Sequence, residues 1–127
     1  MDMDSDKKTI LLVDDEQETL SLLSKTLERQ GYDTITASTA GEALELAKYK
    51  KPHLIILDIV MPDLSGGEVA VILENDSQTA HIPIIFLTGI MGKDEETIKI
   101  KAGRQYKLIA KPVVAEELIE KVNSFFN

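Results

Sequence analysis

Five short apolar runs, each followed by a stretch with helical spacing, constrain this chain more than any other feature. They are residues 9 to 13 (TILLV), 34 to 37 (TITA), 54 to 57 (LIIL), 83 to 87 (PIIFL) and 106 to 110 (YKLIA). Parallel strands need crossovers long enough to hold a helix, so strict strand–helix alternation predicts a doubly wound α/β sheet with helices on both faces. The right-handed crossover rule fixes the face on which each helix lies. The third and fourth runs are almost continuously apolar, as strands buried on both faces must be.

The intervening stretches carry helix signals. Leu20, Leu23 and Leu27 share a face before Gly31, which reads as a stop. Thr39 with Glu42 reads as a capping box opening a helix that buries Ala43, Leu44 and Ala47. Ser65 with Glu68 repeats the box ahead of Val69, Ile72 and Leu73. Asp94 is expected to cap a fourth helix carrying Ile98 and ending near Gly103, and a fifth, after Pro112, sets Leu118, Ile119, Val122, Phe125 and Phe126 on one stripe.

A chain of 127 residues is the size of one ordinary domain, taken here as residues 8 to 127, with an acidic segment at 1 to 7 expected to be disordered or frayed. The 22 acidic and 14 basic residues give a net charge of −8, which argues against generic attraction to nucleic acid or anionic membrane. There is no cysteine, so thiolate metal sites, disulfides and cysteine nucleophiles are excluded. No apolar run approaches a membrane-spanning length and the start is polar and acidic, so a cytoplasmic location is expected.

Polar residues close four of the five runs: Asp14 and Asp15 after the first, Asp58 after the third, Thr88 after the fourth and Lys111 after the fifth. In an open α/β sheet these positions line the carboxyl edge, where ligands bind near the topological switch point. If the first and third strands are neighbours, Asp14, Asp15 and Asp58 converge, and three carboxylates at close range need compensation to stay ionised. A hard divalent cation with oxygen ligands supplies it, and Mg²⁺ suits one or two carboxylates plus waters and phosphate oxygens; Mn²⁺ is the alternative. With +2 from the metal and +1 from Lys111 the cluster is neutral. Asp58 is then a candidate nucleophile for phosphoryl transfer, since carboxylates form aspartyl phosphates.

The stretches "ILLVDDE" (10 to 16), "LIILDIVMPDLSG" (54 to 66), "PIIFLTG" (83 to 89) and "AKPV" (110 to 113) closely resemble the receiver domains of two-component response regulators. The resemblance spans residues 8 to 126 and implies a CheY-like, flavodoxin-like sheet of order 2-1-3-4-5 flanked by five helices. It implies Asp58 as phosphoacceptor, Asp14 and Asp15 as the Mg²⁺-holding pair, and the backbone carbonyl of Val60 as a further ligand. Thr88 would follow the phosphoryl group, Lys111 would bridge it to the last strand, and Pro112 would shape the loop beyond. The implied partners are a sensor histidine kinase or phosphotransfer protein, and a downstream protein on the surface of the fourth helix, fifth strand and fifth helix. The protein would be a signalling phosphoacceptor rather than an enzyme acting on other substrates.

The sequence departs from the family in "AGRQYKLIAKP", where an aromatic residue usually stands three before the lysine and Leu108 stands here. Tyr106 shares the strand face of Leu108 but lies roughly 6.5 Å further back. Activation is therefore expected to run through Thr88 and the loop from Gly89 through Ile90 to Lys93 rather than through an aromatic switch. In receiver domains the residues two after the acceptor and two after the hydroxyl border the path of attacking water; the resemblance places Val60 and Ile90 there, both apolar and unable to orient a water, which implies slow self-dephosphorylation. Three alternatives fit the residues less well. A Mg²⁺-dependent aspartyl-phosphate phosphatase would carry a second acid where Val60 stands. A flavodoxin-like cofactor binder would need a Ser/Thr-rich loop where "DDEQET" stands. A pseudo-receiver that only binds partners would not need all five site residues. The chain stops at Asn127, so either a stand-alone receiver or a fragment of a larger protein is expected.

Overall fold

The structure, a computed structural model, describes residues 7 to 89 and 106 to 126. Its elements run β1 (Thr9–Val13), α1 (Gln17–Arg29), β2 (Asp33–Ala37), α2 (Ala40–Lys50), β3 (Leu54–Asp58), α3 (Gly66–Glu74), β4 (Ile84–Thr88), β5 (Lys107–Ala110) and α4 (Ala115–Phe126). The five strands form one parallel sheet in the order β2-β1-β3-β4-β5. Four helices flank it among the described residues, α4 being the helix expected after Pro112.

Successive side chains on a strand face opposite sides, and apolar residues at every position therefore feed two cores. Ile10, Leu12, Leu54, Ile56, Ile85, Leu87 and Ile109 meet Leu20, Leu23 and Leu27 of α1 and Leu118 and Val122 of α4. Leu11, Val13, Ile55, Leu57, Ile84 and Phe86 meet Ala40, Ala43 and Ala47 of α2 and Val69, Ala70 and Leu73 of α3. The split follows from chain direction. The path steps outward from β1 to β2, then reverses across β1 to β3, and a right-handed crossover in the reversed direction lies on the opposite face.

The expected helix punctuation is largely present. α1 ends at Arg29 with Gln30 as its C-cap, and Gly31 follows with φ of 95°, a left-handed conformation that glycine adopts at no steric cost. Ser65 and Glu68 form a complete capping box. At α2 only half of the box forms: Thr39 accepts from the Glu42 amide, but the Glu42 carboxylate accepts from Ser38 N–H, one residue further out. Two expected core positions differ. Leu44 is only partly buried, and Ile72 is 44% exposed, because α3 turns Val69, Ala70 and Leu73 to the sheet and Ile72 falls beside that stripe. Asp58 and Thr88 are the last residues of their strands rather than the first of the loops. The expected fourth helix, with Asp94, Ile98 and Gly103, lies outside the described residues, as does Ile90.

Candidate functional site

The ladder between β1 and β3 pairs Val13 with Leu57, so the next residues, Asp14 and Asp58, emerge side by side at the carboxyl edge. Asp14 continues the β1 pairing, its amide donating to the Ala37 carbonyl, and its side chain is fully buried. An acid between strand and helix often serves as an N-cap, yet the N-cap of α1 is Glu16, with no side-chain cap. The Asp14 Oδ1 accepts from the Glu16 amide at 2.9 Å, while Oδ2 lies 2.8 Å from Lys111 Nζ as an ion pair. That pair is not aligned as a hydrogen bond, so the buried Oδ2 keeps unfilled acceptor capacity among the described residues.

Asp58 is 5% exposed. Its Oδ1 accepts from the Val60 amide at 3.3 Å and its Oδ2 from Lys111 Nζ at 3.2 Å. Burial, reinforced by the neighbouring Asp14 charge, pushes the Asp58 carboxyl up to about 6, against the opposing pull of Lys111 and the Val60 amide. Lys111 responds the other way. Burial lowers its affinity for a proton, but the contact with Asp14 and the charges of Asp58 and Asp14 outweigh it and hold the ammonium above the usual lysine range. Lys111 also reaches Glu16 Oε1 at 3.5 Å. Glu16 was not singled out from sequence; the only signal for it is the third acid of "DDE".

Thr88 ends β4, 1% exposed, and its carbonyl accepts from the Lys111 amide, tying the β4 and β5 ends together. An open pocket of about 310 Å³ is lined by Asp15, Asp58, Ile59, Val60, Thr88, Gly89 and Lys111. Four loops thus meet where the sequence pattern directs them. The Val60 side chain is 68% exposed at the rim. Pro112 follows Lys111 through a cis peptide bond. Tyr106 and Leu108 share a sheet face, as expected, both packing on the core beneath α2 and α3. The Tyr106 ring meets Phe86 edge-on at 4.9 Å, and its hydroxyl donates to Glu74 Oε2 at 2.6 Å.

Asp14, Asp15 and Asp58 each present a carboxylate oxygen, all within 4.8 Å of one another. Three carboxylates and one ammonium leave the cluster at −2, a charge that a cation held by these oxygens would balance, and the buried Asp14 Oδ2 has acceptor capacity to offer it. The donors are all oxygen, which fits a hard divalent ion such as Mg²⁺ rather than a thiophilic metal.

A five-stranded 2-1-3-4-5 sheet with an acidic pocket and a lysine at its carboxyl edge defines a class of signalling domain. Residues 10 to 123 match the model of the response regulator receiver domain, and the chain belongs to that family, making it a receiver domain of two-component signalling. It is 35% identical over 118 residues to the polar-differentiation response regulator DivK of Brucella anthropi, across 93% of this chain and 95% of that protein. It is similar in structure to the chemotaxis response regulator CheY4 of Vibrio cholerae, with a TM-score of 0.85 at 28% identity over 94% of this chain and 98% of the other. A CheY-like receiver domain protein from Methanospirillum hungatei JF-1 gives 0.83 at 30% identity over 93% and 92%. No helix among the described residues is long and apolar enough to cross a membrane.

Proposed function

We propose that this chain is a phosphoacceptor, taking a phosphoryl group from a histidine kinase or phosphotransfer protein onto Asp58 and signalling the change to a downstream protein. The observation that carries this reading is the pairing of Asp58 with Lys111 on a pocket that Asp15 also lines, with Asp14 behind them. An Asp58 carboxylate oxygen forms the new P–O bond as the donor's P–N bond breaks, and the histidine leaves as neutral imidazole protonated from solvent. Mg²⁺, held by Asp14, Asp15, Asp58 and the Val60 carbonyl, with Mn²⁺ as the alternative, would supply charge neutralisation for the phosphoryl oxygens. Lys111 contributes a fixed ammonium and releases some of its attraction to Asp58 as that carboxylate is esterified. Thr88 contributes a hydroxyl at the pocket wall, positioned by its strand rather than by a loop.

The surface of β5 and α4, together with the helix expected before β5, which lies outside the described residues, is the proposed contact for a downstream protein. Intact mass after incubation with Mg²⁺ and acetyl phosphate tests the reaction, with Asp58→Ala alongside. Gain of one phosphoryl group in the wild type alone is the expected result. Failure to gain it, together with failure to bind a beryllofluoride mimic, would leave a pseudo-receiver that only binds partners.

A further inference from the structure

The first turn of α2 has an unusual source of hydrogen-bond acceptors. The opening N–H groups of any helix lack intrahelical partners and must find others. Here Glu42 N–H is satisfied by Thr39 Oγ1 from the chain's own cap, at 3.1 Å. Ala40 N–H and Gly41 N–H instead donate to the two carboxylate oxygens of Asp63, at 3.0 and 3.2 Å, across 23 and 22 residues of sequence. The two amides hold the Asp63 carboxyl below its ordinary range. No side chain has to move aside for this, since a Cβ on Gly41 would only touch Asp63 at 4.0 Å.

Asp63 sits in the segment between Asp58 and α3, the segment that carries Val60. Both ends of that segment are fixed. Ile59 N–H donates to the Leu87 carbonyl, and Gly66 N–H to the Ile59 carbonyl at 2.7 Å. Gly66 lies so close that a Cβ there would fall 2.4 Å from the Asp58 carbonyl oxygen. Between these points, Ile59 and Met61 anchor inward, while Val60, Pro62 and Asp63 are exposed. For the exposed turn, the Asp63 carboxylate on the α2 amides is a charge-assisted tether aided by the helix dipole.

We propose that Asp63 is a positioning residue for the phosphoacceptor site, clamping the loop that carries Val60 to the N-terminus of α2 and so fixing the backbone that faces the Asp58 pocket. The inference rests on the proposed metal-dependent function for its consequence, but the clamp itself is separable from it. Thr39 caps the same helix end through hydrogen bonds from Glu42 and Ala43 of its own helix, so Thr39→Ala is the control for simple helix destabilisation.

Two readouts on the whole chain decide it. In Asp63→Ala, the backbone amides of Val60 and Gly66 should exchange with solvent about fivefold faster, the scale of losing one cap-strength restraint. Calorimetric titration with Mg²⁺ should show affinity weakened about threefold or more, as for a ligand set less well held. Asp63→Asn, which keeps one acceptor, should recover part of both effects, and Thr39→Ala should lower stability while leaving both unchanged. Equal effects in Asp63→Ala and Thr39→Ala would overturn the inference by reducing Asp63 to a helix cap. Unchanged loop exchange in Asp63→Ala would overturn it outright. Absence of Mg²⁺ binding by the wild type would overturn the proposed function, with the exchange data still deciding the clamp.

Discussion

At the scale of the residue, Asp58 carries a free-energy cost that its chemistry explains. Its carboxyl is raised from 3.8 to about 6, so the folded, metal-free protein binds a proton between those values that the unfolded chain does not. Stability therefore falls as pH rises from about 4 through 6 and stays lower above, by an order of 2–3 kcal/mol. Asp58→Asn, which mimics the neutral carboxyl, is expected to stabilise the metal-free protein by about 2 kcal/mol at pH 7.5 and by almost nothing at pH 4. Urea unfolding at the two pH values checks this, and a pH-independent gain would assign the effect to something other than ionisation. Asp14, Asp15, Asp58, Thr88 and Lys111 were legible in the sequence because each follows an apolar run, and strand ends converge by topology. Asp63 was not, because its partners are backbone amides of another element and no spacing reports them. For Val60, exposed at the pocket rim, the proposal of slow self-dephosphorylation stands on its lack of any group to orient water. Val60→Asn combined with Ile90→Glu should shorten the lifetime of the phosphorylated protein by about tenfold or more, well within what general acid–base assistance can contribute. Following loss of the phosphoryl mass with time measures it, and an unchanged lifetime would rule the proposal out.

At the scale of the element, strands are more legible in the sequence than helix faces. A buried parallel strand needs apolar residues at every position, and a four- or five-residue run leaves little freedom, so the expected and observed strands differ by at most one residue at either end. Helix faces depend on how each helix is rolled against the sheet, which is why Ile72 falls outside the α3 stripe although its spacing allows it. The position of β5 raises the question of how a pocket event reaches the surface. Tyr106 is held by its hydroxyl on Glu74 and by its ring on Phe86, ahead of β5 and away from Thr88 at the carboxyl ends of the strands. Tyr106→Phe keeps the ring contact and removes the hydroxyl, so it should cost about 1 kcal/mol of stability. It should leave the rate of phosphorylation unaltered. In spectra taken with and without beryllofluoride, Thr88 and Gly89 should shift strongly and Tyr106 little. A shift at Tyr106 as large as that at Thr88 would make the tyrosine part of the switch.

At the scale of the whole molecule, a net charge of −8 and an acidic pocket act in the same direction on a cation. The summed field raises the local concentration of divalent ions, and salt screens it over about 8 Å at physiological ionic strength. Without metal, three close carboxylates have a single lysine to balance them among the described residues. A ligand that binds only the folded state adds stability by mass action, about 2.7 kcal/mol at a hundredfold excess over Kd. Mg²⁺ at that level should therefore raise Tm by on the order of 10 °C for a domain of this size, and EDTA should reverse it. The same experiment on Asp58→Asn links the scales. This variant should begin more stable than the wild type without metal, because one buried charge is gone, and should gain less from Mg²⁺, because one ligand is gone. The two melting curves, plotted against Mg²⁺ concentration, should converge or cross. Parallel curves would mean that the metal binds elsewhere, and that the charge on Asp58 is balanced by Lys111 alone.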